Sequence, residues 1–383
     1  MSRRLALITE IIAPYRIPVF NALARRAGLD LHVIFLAETD ETLRQWPVYK
    51  QEIDFSCQIL PSWRWRAGRN SLLLNRGLGA ALNKFRPEVI ICGGYSYAAS
   101  WQALQWARRH AVEFVLWTES NRFDTRKERP WVEWLKKYFV RHCDRFVVPG
   151  TASFEYLRML GAPPASILTA PNAVDNQWFA QRAENARRSS AECRKRMSLP
   201  SRYFLFVGRF VPEKGIFDLL SAYAKLNAEL RSQVGLVFAG DGVSRKELTR
   251  KAKDINPGEV CFPGFAPREE LANLYALAEF LVLPTHSDTW GLVVNEAMAC
   301  GLPILVTSLA GCSASLVQDG WNGYVVPPRD AERLSVGIEA LLLNPELRCQ
   351  MSARSAERIA HFSPEACADG LAAAALPAAS EVR

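Results

Sequence analysis

The amino-acid sequence predicts an α/β protein with two doubly wound domains. Three observations carry this. Short, nearly all-apolar β-rich runs recur along the chain, helical patterns lie between them, and one polar stretch near the middle interrupts the alternation before it restarts. Strands buried on both faces of a parallel sheet read as continuous apolar runs. Regular βα alternation builds doubly wound sheets.

In order, strands are expected at 5–9 (LALIT), 31–37 (LHVIFLA), 88–94 (EVIICGG), 113–119 (EFVLWTE) and 145–150 (RFVVPG). Helical patterns fall at 17–26, 72–85, 101–109 and 131–142. Residues 176–200 are polar, basic and poor in strand formers, which reads as a domain link. Strands resume at 203–208, 235–240, 259–264, 280–285 and 303–308. The expected division is a first domain over 1–180, a linker over 181–200 and a second domain over 201–360. The Ala-rich end, 361–383, is expected as a helix or tail crossing back to the first domain.

The 383 residues are 49% hydrophobic and 22% charged, ordinary for a soluble globular protein. No apolar run approaches the roughly 18 residues that span a bilayer. The opening MSRRLALITE has too short an apolar part for a signal peptide and reads as the first strand. Nine cysteines form no C-x-x-C pair, which favours reduced thiols in a cytoplasmic protein over disulfides or zinc. Net charge is +8 and uneven: residues 1–199 hold 30 Lys and Arg against 18 Asp and Glu, the remainder 17 against 21. The basic half is expected to face a membrane surface, a phosphorylated acceptor or nucleic acid.

The most informative stretch is SDTWGLVVNEAMACGLP, 287–303. It sets Asp288 at a turn, Gly291 after it, and Glu296 within an apolar helical run. A helix start offers free N–H groups and partial positive charge to a phosphate, and a carboxylate just inside can accept from a sugar diol. Earlier, VGRFVPEKG (207–215) follows a strand directly, so Arg209 and Lys214 lie at its carboxyl end, where open α/β sheets bind ligands. Two cations there can neutralise a diphosphate; the plain alternative is a solvated turn. AGDG (239–242), FPGF (262–265) and the Asp288 stretch also follow strands and so reach the same edge. There is neither a Walker loop nor a complete G-x-G-x-x-G, and no D-x-D run that might hold a metal.

These residues resemble the retaining GT-B glycosyltransferases of family 4, also called group 1. Their signature, E-G-F-G-L-x-x-x-E-A-M-A-C-G-x-P, is matched here by D-T-W-G-L-V-V-N-E-A-M-A-C-G-L-P. GRFVPEKG, AGDG, APNAVD (170–175) and WNGYVVPPRD (321–330) stand in the expected order. The resemblance is specific over 203–330 and loose before residue 145. It implies two Rossmann-like domains facing across a cleft. It implies transfer of a sugar, with retention and without a metal or cofactor, from a UDP-, GDP- or ADP-linked donor to a hydroxyl acceptor in bacterial surface polysaccharide or glycolipid synthesis.

The resemblance also implies roles. Arg209 and Lys214 would stabilise the departing diphosphate, Glu296 would hold the ribose and Asp288 the transferred sugar. Gly208 and the backbone of Trp290, Gly291, Leu292 and Val293 would cradle phosphate and sugar, with Gly264 and Phe265 near the base. Three departures stand out. Asp288 replaces the usual first glutamate, Ser315 stands where a later glutamate is usual, and IIAPYR after the first strand lacks glycine.

On the acceptor side, Tyr15 and Arg16 follow the first strand and could meet a phosphate. Glu119 could orient an acceptor hydroxyl or simply pair with Arg122. Two basic-aromatic segments, PSWRWRAGRN (61–70) and the helix WVEWLKKYFVRH (131–142), suit an anionic membrane surface; the helix equally suits packing on a sheet. The expected location is the cytoplasm, peripherally on the inner face of the membrane. Rival readings are a nucleotide-sugar epimerase, against which EAMACGLP argues, and a binding protein without catalysis, which donor hydrolysis would separate from a transferase. A nucleic-acid binder would need a recognised module, and none is present.

Overall fold

A computed structural model describes residues 2–40, 47–67, 70–122 and 130–377. The chain divides into two compact units. One comprises residues up to 174 together with those from 363 on, the other residues 175–362.

In the first unit the strands are β1 (Arg3–Thr9), β2 (Leu29–Phe35), β3 (Ser56–Ile59), β4 (Ser62–Ala67), β5 (Asn70–Asn75), β6 (Val89–Gly93), β7 (Glu113–Trp117), β8 (Arg145–Val148) and β9 (Ile167–Thr169). Seven of them form a parallel sheet in the order β3-β2-β1-β6-β7-β8-β9, and β4 and β5 form a separate antiparallel hairpin. In the second unit β10 (Tyr203–Val207), β11 (Gly235–Ala239), β12 (Val260–Gly264), β13 (Leu281–Leu283), β14 (Ile304–Thr307) and β15 (Gly323–Val326) make a parallel sheet ordered β12-β11-β10-β13-β14-β15. The expected runs became strands because they are apolar on both faces: all five residues of β10 and of β11 are buried.

Helices α1 (Ile17–Ala24), α2 (Leu78–Phe85), α3 (Ala98–Arg109), α4 (Pro130–Val140) and α5 (Thr151–Leu160) belong to the first unit. Then come α6 (Asn176–Arg188), α7 (Ser190–Met197), α8 (Ile216–Lys225), α9 (Ala228–Gln233), α10 (Arg245–Ala252), α11 (Arg268–Leu277), α12 (Leu292–Ala299), α13 (Ser313–Leu316), α14 (Ala331–Leu343) and α15 (Pro345–Ile359) in the second. The last, α16 (Pro364–Ala375), returns to the first unit and buries its Ala-rich face in the cluster that holds α1 and β1. No helix among the described residues is long and apolar enough to cross a membrane.

Two local expectations differ from the structure. Residues 176–200 are mostly helical rather than a bare link. The Asp175 carboxylate caps α6 by accepting from the Trp178 N–H at 2.9 Å. Phe179, Ala183 and Ala186 are buried, and Arg187 donates to the carbonyls of Ala276 and Cys300. The polar look of this stretch belongs to its outer face. Residues 72–75, expected as helix, are the second strand of the hairpin, in which Trp63 faces Leu74 and Trp65 faces Leu72. Three successive leucines, Leu72 to Leu74, carry no period that tells strand from helix, so the alternating partner strand settles the outcome.

Candidate functional site

The order of the second sheet reverses between β10 and β13, which are neighbours. A doubly wound sheet binds ligands just beyond the strands at such a switch point. The turn after β10 carries Gly208, Arg209 and Lys214; the loop after β13 carries Asp288 and leads into α12. The topology therefore brings together groups 74 residues apart in sequence: Lys214 Nζ lies 2.5 Å from Asp288 Oδ2, and both side chains are largely buried.

Backbone contacts fix the two turns against each other. The Glu213 carbonyl accepts from the His286 N–H at 2.8 Å and from Thr285 Oγ1 at 3.1 Å. Gly215 adopts φ 68°, and a Cβ there would lie 1.9 Å from the Pro284 carbonyl oxygen, so no other residue permits this approach. A side-chain link runs alongside, with His286 Nε2 2.5 Å from Asp218 Oδ2 in the first turn of α8.

Asp288 stands in the loop, its carbonyl accepting from the Gly311 N–H at 3.1 Å. Trp290 is buried, and its Nε1–H donates to Asn295 Oδ1 at 2.8 Å. The indole thus pins the turn, leaving its backbone as the part that can face a ligand. Gly291 has φ 98°, and α12 starts at Leu292, with Leu292 and Val293 half-buried at its N-terminus. Their N–H groups are among those a helix leaves without an internal partner.

Glu296 lies in the middle of α12. Tyr275 of α11, itself fully buried, donates its hydroxyl to Glu296 Oε2 at 2.7 Å. Although part of Glu296 reaches the surface, its surroundings are dense. Burial pushes its carboxyl up from 4.5 to about 7, partly offset by the Tyr275 hydrogen bond. The carboxyl is therefore poised near neutrality.

The remaining predicted residues border this edge. Arg209 is exposed, and its side chain makes no hydrogen bond or ion pair among the described residues. Gly264, with φ 90°, ends β12 beside the turn 239–242, accepting from the Gly240 N–H at 2.7 Å. Phe265 next to it is exposed. Ser315 sits in α13 with its carbonyl bound by Arg358. Among the described residues no three His, Cys, Asp or Glu side chains gather as a metal site would require.

In the first unit the strand order reverses between β1 and β6. Beyond β1, Arg16 forms an ion pair with Glu119, which follows β7. Glu119 thus has Arg16 as an ion-pair partner in the structure, where the sequence had offered Arg122. The Arg16 guanidinium carbon lies 3.7 Å above the Trp117 ring and 5.6 Å from that of Tyr15. Burial disfavours its charge, but Glu119 and Tyr15 outweigh this, and its pKa is raised.

Tyr275, His286 and Asp218 were not singled out from sequence. Asp218 follows Lys214 by one helical turn and His286 precedes Asp288 by two residues, so position hinted at both. Nothing local links Tyr275 to a glutamate 21 residues later.

Comparison with known proteins agrees with this geometry. The family model "Glycosyl transferases group 1" matches residues 194–358, and "Glycosyl transferase 4-like domain" matches residues 19–173. The chain is 29% identical over 316 residues to the alpha-D-kanosaminyltransferase of Streptomyces kanamyceticus, covering 79% of each. It is 29% identical over 222 residues to the O-antigen chain mannosyltransferase B of Escherichia coli, covering 56% of this chain and 55% of that one, about half its length. Among solved structures, Anabaena HepE in complex with UDP and glucose superposes with a TM-score of 0.74 at 15% identity, over 97% of this chain and 98% of that one. With both halves matched by glycosyltransferase models and the fold shared nearly end to end, the chain belongs to the group 1, family 4 glycosyltransferases of the GT-B fold and transfers a sugar from a nucleotide-sugar donor.

Proposed function

We propose that the chain moves a sugar from a UDP-, GDP- or ADP-linked donor to a hydroxyl acceptor with retention, in the synthesis of a bacterial surface polysaccharide or glycolipid. The observation that carries this is the meeting of Lys214, Asp288, Arg209 and the start of α12 at one switch point. In the reaction the anomeric C–O bond breaks and its electron pair goes to the diphosphate. The acceptor oxygen then bonds to the anomeric carbon on the same face, and its proton passes to a diphosphate oxygen.

Charge gathers on the leaving group in the transition state, so preorganised cations aimed there stabilise it more than the ground state. Lys214 would exchange Asp288 for the diphosphate, a compact ammonium being easily re-aimed. The Asp288 oxygen that Lys214 leaves would accept from a sugar hydroxyl. Arg209 would grip the phosphates bidentately, and Glu296 as carboxylate would accept from the ribose hydroxyls. Gly208, Trp290, Gly291, Leu292 and Val293 would shape the phosphate cradle, with Gly264 and Phe265 beside the base. Tyr15, Arg16 and Glu119 would line the acceptor side. The protein would work in the cytoplasm at the inner face of a membrane, where lipid-linked acceptors lie.

A thermal-shift panel of UDP, GDP, ADP and their sugars tests the donor reading. A ligand that binds only the native state at 100 times its Kd adds about 2.7 kcal/mol of stability. One base should stand out; a panel in which no nucleoside diphosphate raises the melting point would sink the proposal. Release of sugar from the selected donor then separates a transferase from a protein that only binds.

A further inference from the structure

We infer that the first unit docks on an anionic lipid bilayer through two exposed aromatic patches on the same face of its sheet, one on the β4–β5 hairpin and one on helix α4. This rests on the reading of a membrane-side acceptor and names the surface that meets the membrane.

The hairpin has two unlike faces. Inward, Leu73 is buried and Arg64 pairs with Glu10 and Asp40. Arg64 is therefore not a headgroup ligand, although the sequence alternation suggested one. Outward, Trp63 and Trp65 are 60% and 54% exposed, and their cross-strand partners Leu74 and Leu72 are 40% and 45% exposed. Indole and leucine side chains held in cross-strand pairs, open to solvent, mark an interaction site.

Helix α4 supplies the second part. Trp131, Trp134 and Tyr138 are 59%, 63% and 45% exposed, while Phe139 and Val140 point into the core. The core cluster that receives Phe139 and Val140 also receives Leu73, so hairpin and helix pack on the same face of the sheet. The expected packing of this helix against the sheet thus holds only for its inner side. The outer stripe is preordered: Tyr138 stacks on Trp134 at 5.7 Å and on Trp101 of α3 at 6.2 Å. Ordered rings lose little further rotamer freedom on docking.

Charge selects the occupant. Residues 55–87 contain no Asp or Glu and, besides the inward-paired Arg64, five Lys and Arg. On α4 Lys137 is exposed, as is Arg141 just after its end, and the helix's one acid, Glu133, is engaged by Lys136 at 2.5 Å. A basic surface bearing Trp and Tyr, whose apolar bodies carry polar tips, suits the boundary between anionic headgroups and acyl chains. A second copy of the chain would bring the same positive charge against it, which disfavours self-association through this face.

The test is flotation of the full-length protein with vesicles of phosphatidylcholine alone or with phosphatidylglycerol added. Partitioning should be at least about tenfold stronger into the anionic vesicles and fall with salt. Trp63→Ser with Trp65→Ser should weaken it about tenfold, and Trp131→Ser with Trp134→Ser should do likewise, since affinity scales with buried apolar area. These exposed side chains should leave the melting temperature and its shift by nucleotide unchanged. Equal binding to neutral vesicles, no binding, or wild-type binding in both variants overturns the proposal, as does dimerisation through these tryptophans without vesicle binding. A protein that floats normally yet binds no nucleotide would count against the donor reading alone.

Discussion

Each unit closes the carboxyl edge of its parallel sheet with a cation–carboxylate pair, Arg16–Glu119 in the first and Lys214–Asp288 in the second. Their surroundings differ. Arg16 is stacked on Trp117, and its planar fork is held from both sides. Lys214 is a point charge on a flexible stem, set in a turn that the His286–Asp218 link holds in place. Arg209 stands beside it without a side-chain partner among the described residues. The same pairing is therefore stacked against a ring in one unit and carried on a flexible stem in the other, and under the proposed mechanism only the second exchanges its partner. A group that must change partners during a reaction belongs to the second kind.

The largest effect expected from this contrast is at Lys214. Lys214→Ala should lower turnover of the selected donor about a thousandfold, the loss seen when one preorganised charge-stabilising group is removed. The donor KM should change far less, because the interaction strengthens only as charge develops. Steady-state kinetics decide this, and full turnover in the variant would erase the distinction between the two pairs.

Next comes Glu296, whose carboxyl titrates near 7 in the fold and near 4.5 when unfolded. The native state therefore holds the extra proton between these values, and raising the pH through that window costs stability. On the proposed ribose role of Glu296, nucleotide binding runs the other way, because ribose hydroxyls would donate to the carboxylate. Affinity for the nucleoside diphosphate should rise about tenfold between pH 6 and pH 8, because a carboxyl titrating at about 7 goes from about one-tenth to about nine-tenths ionised. Glu296→Gln should bind more weakly and lose the component of the pH dependence that the nucleotide's own ionisation does not explain. Tyr275→Phe removes the hydrogen bond that favours the charged form, so its midpoint should move upward. Calorimetry across pH tests all three proteins.

A smaller effect is expected at the link between the two turns. His286→Ala should lower turnover about tenfold through slight misplacement of Lys214. His286→Gln, whose amide can still donate to Asp218, should recover most of it. Failure of the glutamine variant to recover, at an unchanged melting temperature, would show that the link does not position the lysine.

How far the sequence disclosed these features depended on whether each cause is local. The strands were legible because burial on both faces leaves a continuous apolar run, as in YFLFV and GLVFA. The residues after those strands were legible as a site because parallel strands all point their carboxyl ends to one edge. The hairpin was not, since the sequence between the runs, Gly68-Arg69, is a weaker hairpin signal than Asn-Gly or Asp-Gly. The Trp–Arg alternation showed two faces without showing which was inward. The helices of 176–200 were hidden because solvent-facing Arg and Glu outnumber the few buried residues. Lys214–Asp288, His286–Asp218 and Tyr275–Glu296 are pairings across the switch point or between packed helices. They follow from strand order, which no single segment encodes.

The smallest catalytic effect is expected at Arg16, and it tests the contrast from the other side. Arg16→Met keeps the side chain's bulk over Trp117 but strands Glu119 without its cation. A partly buried pair broken on one side should cost about 2 kcal/mol, below the 3–5 typical of full burial because both groups retain some solvent. For a folding unit of roughly 190 residues that lowers the melting temperature by about 4–8 °C. Donor turnover, measured as sugar release to water well below the new melting point, should stay within about threefold of wild type, since a supporting pair carries none of the leaving-group charge. Scanning calorimetry beside that assay separates the two quantities. If Arg16→Met were as inactive as Lys214→Ala while remaining folded, Arg16 would itself meet developing charge, and both sheets would present working cations at their edges.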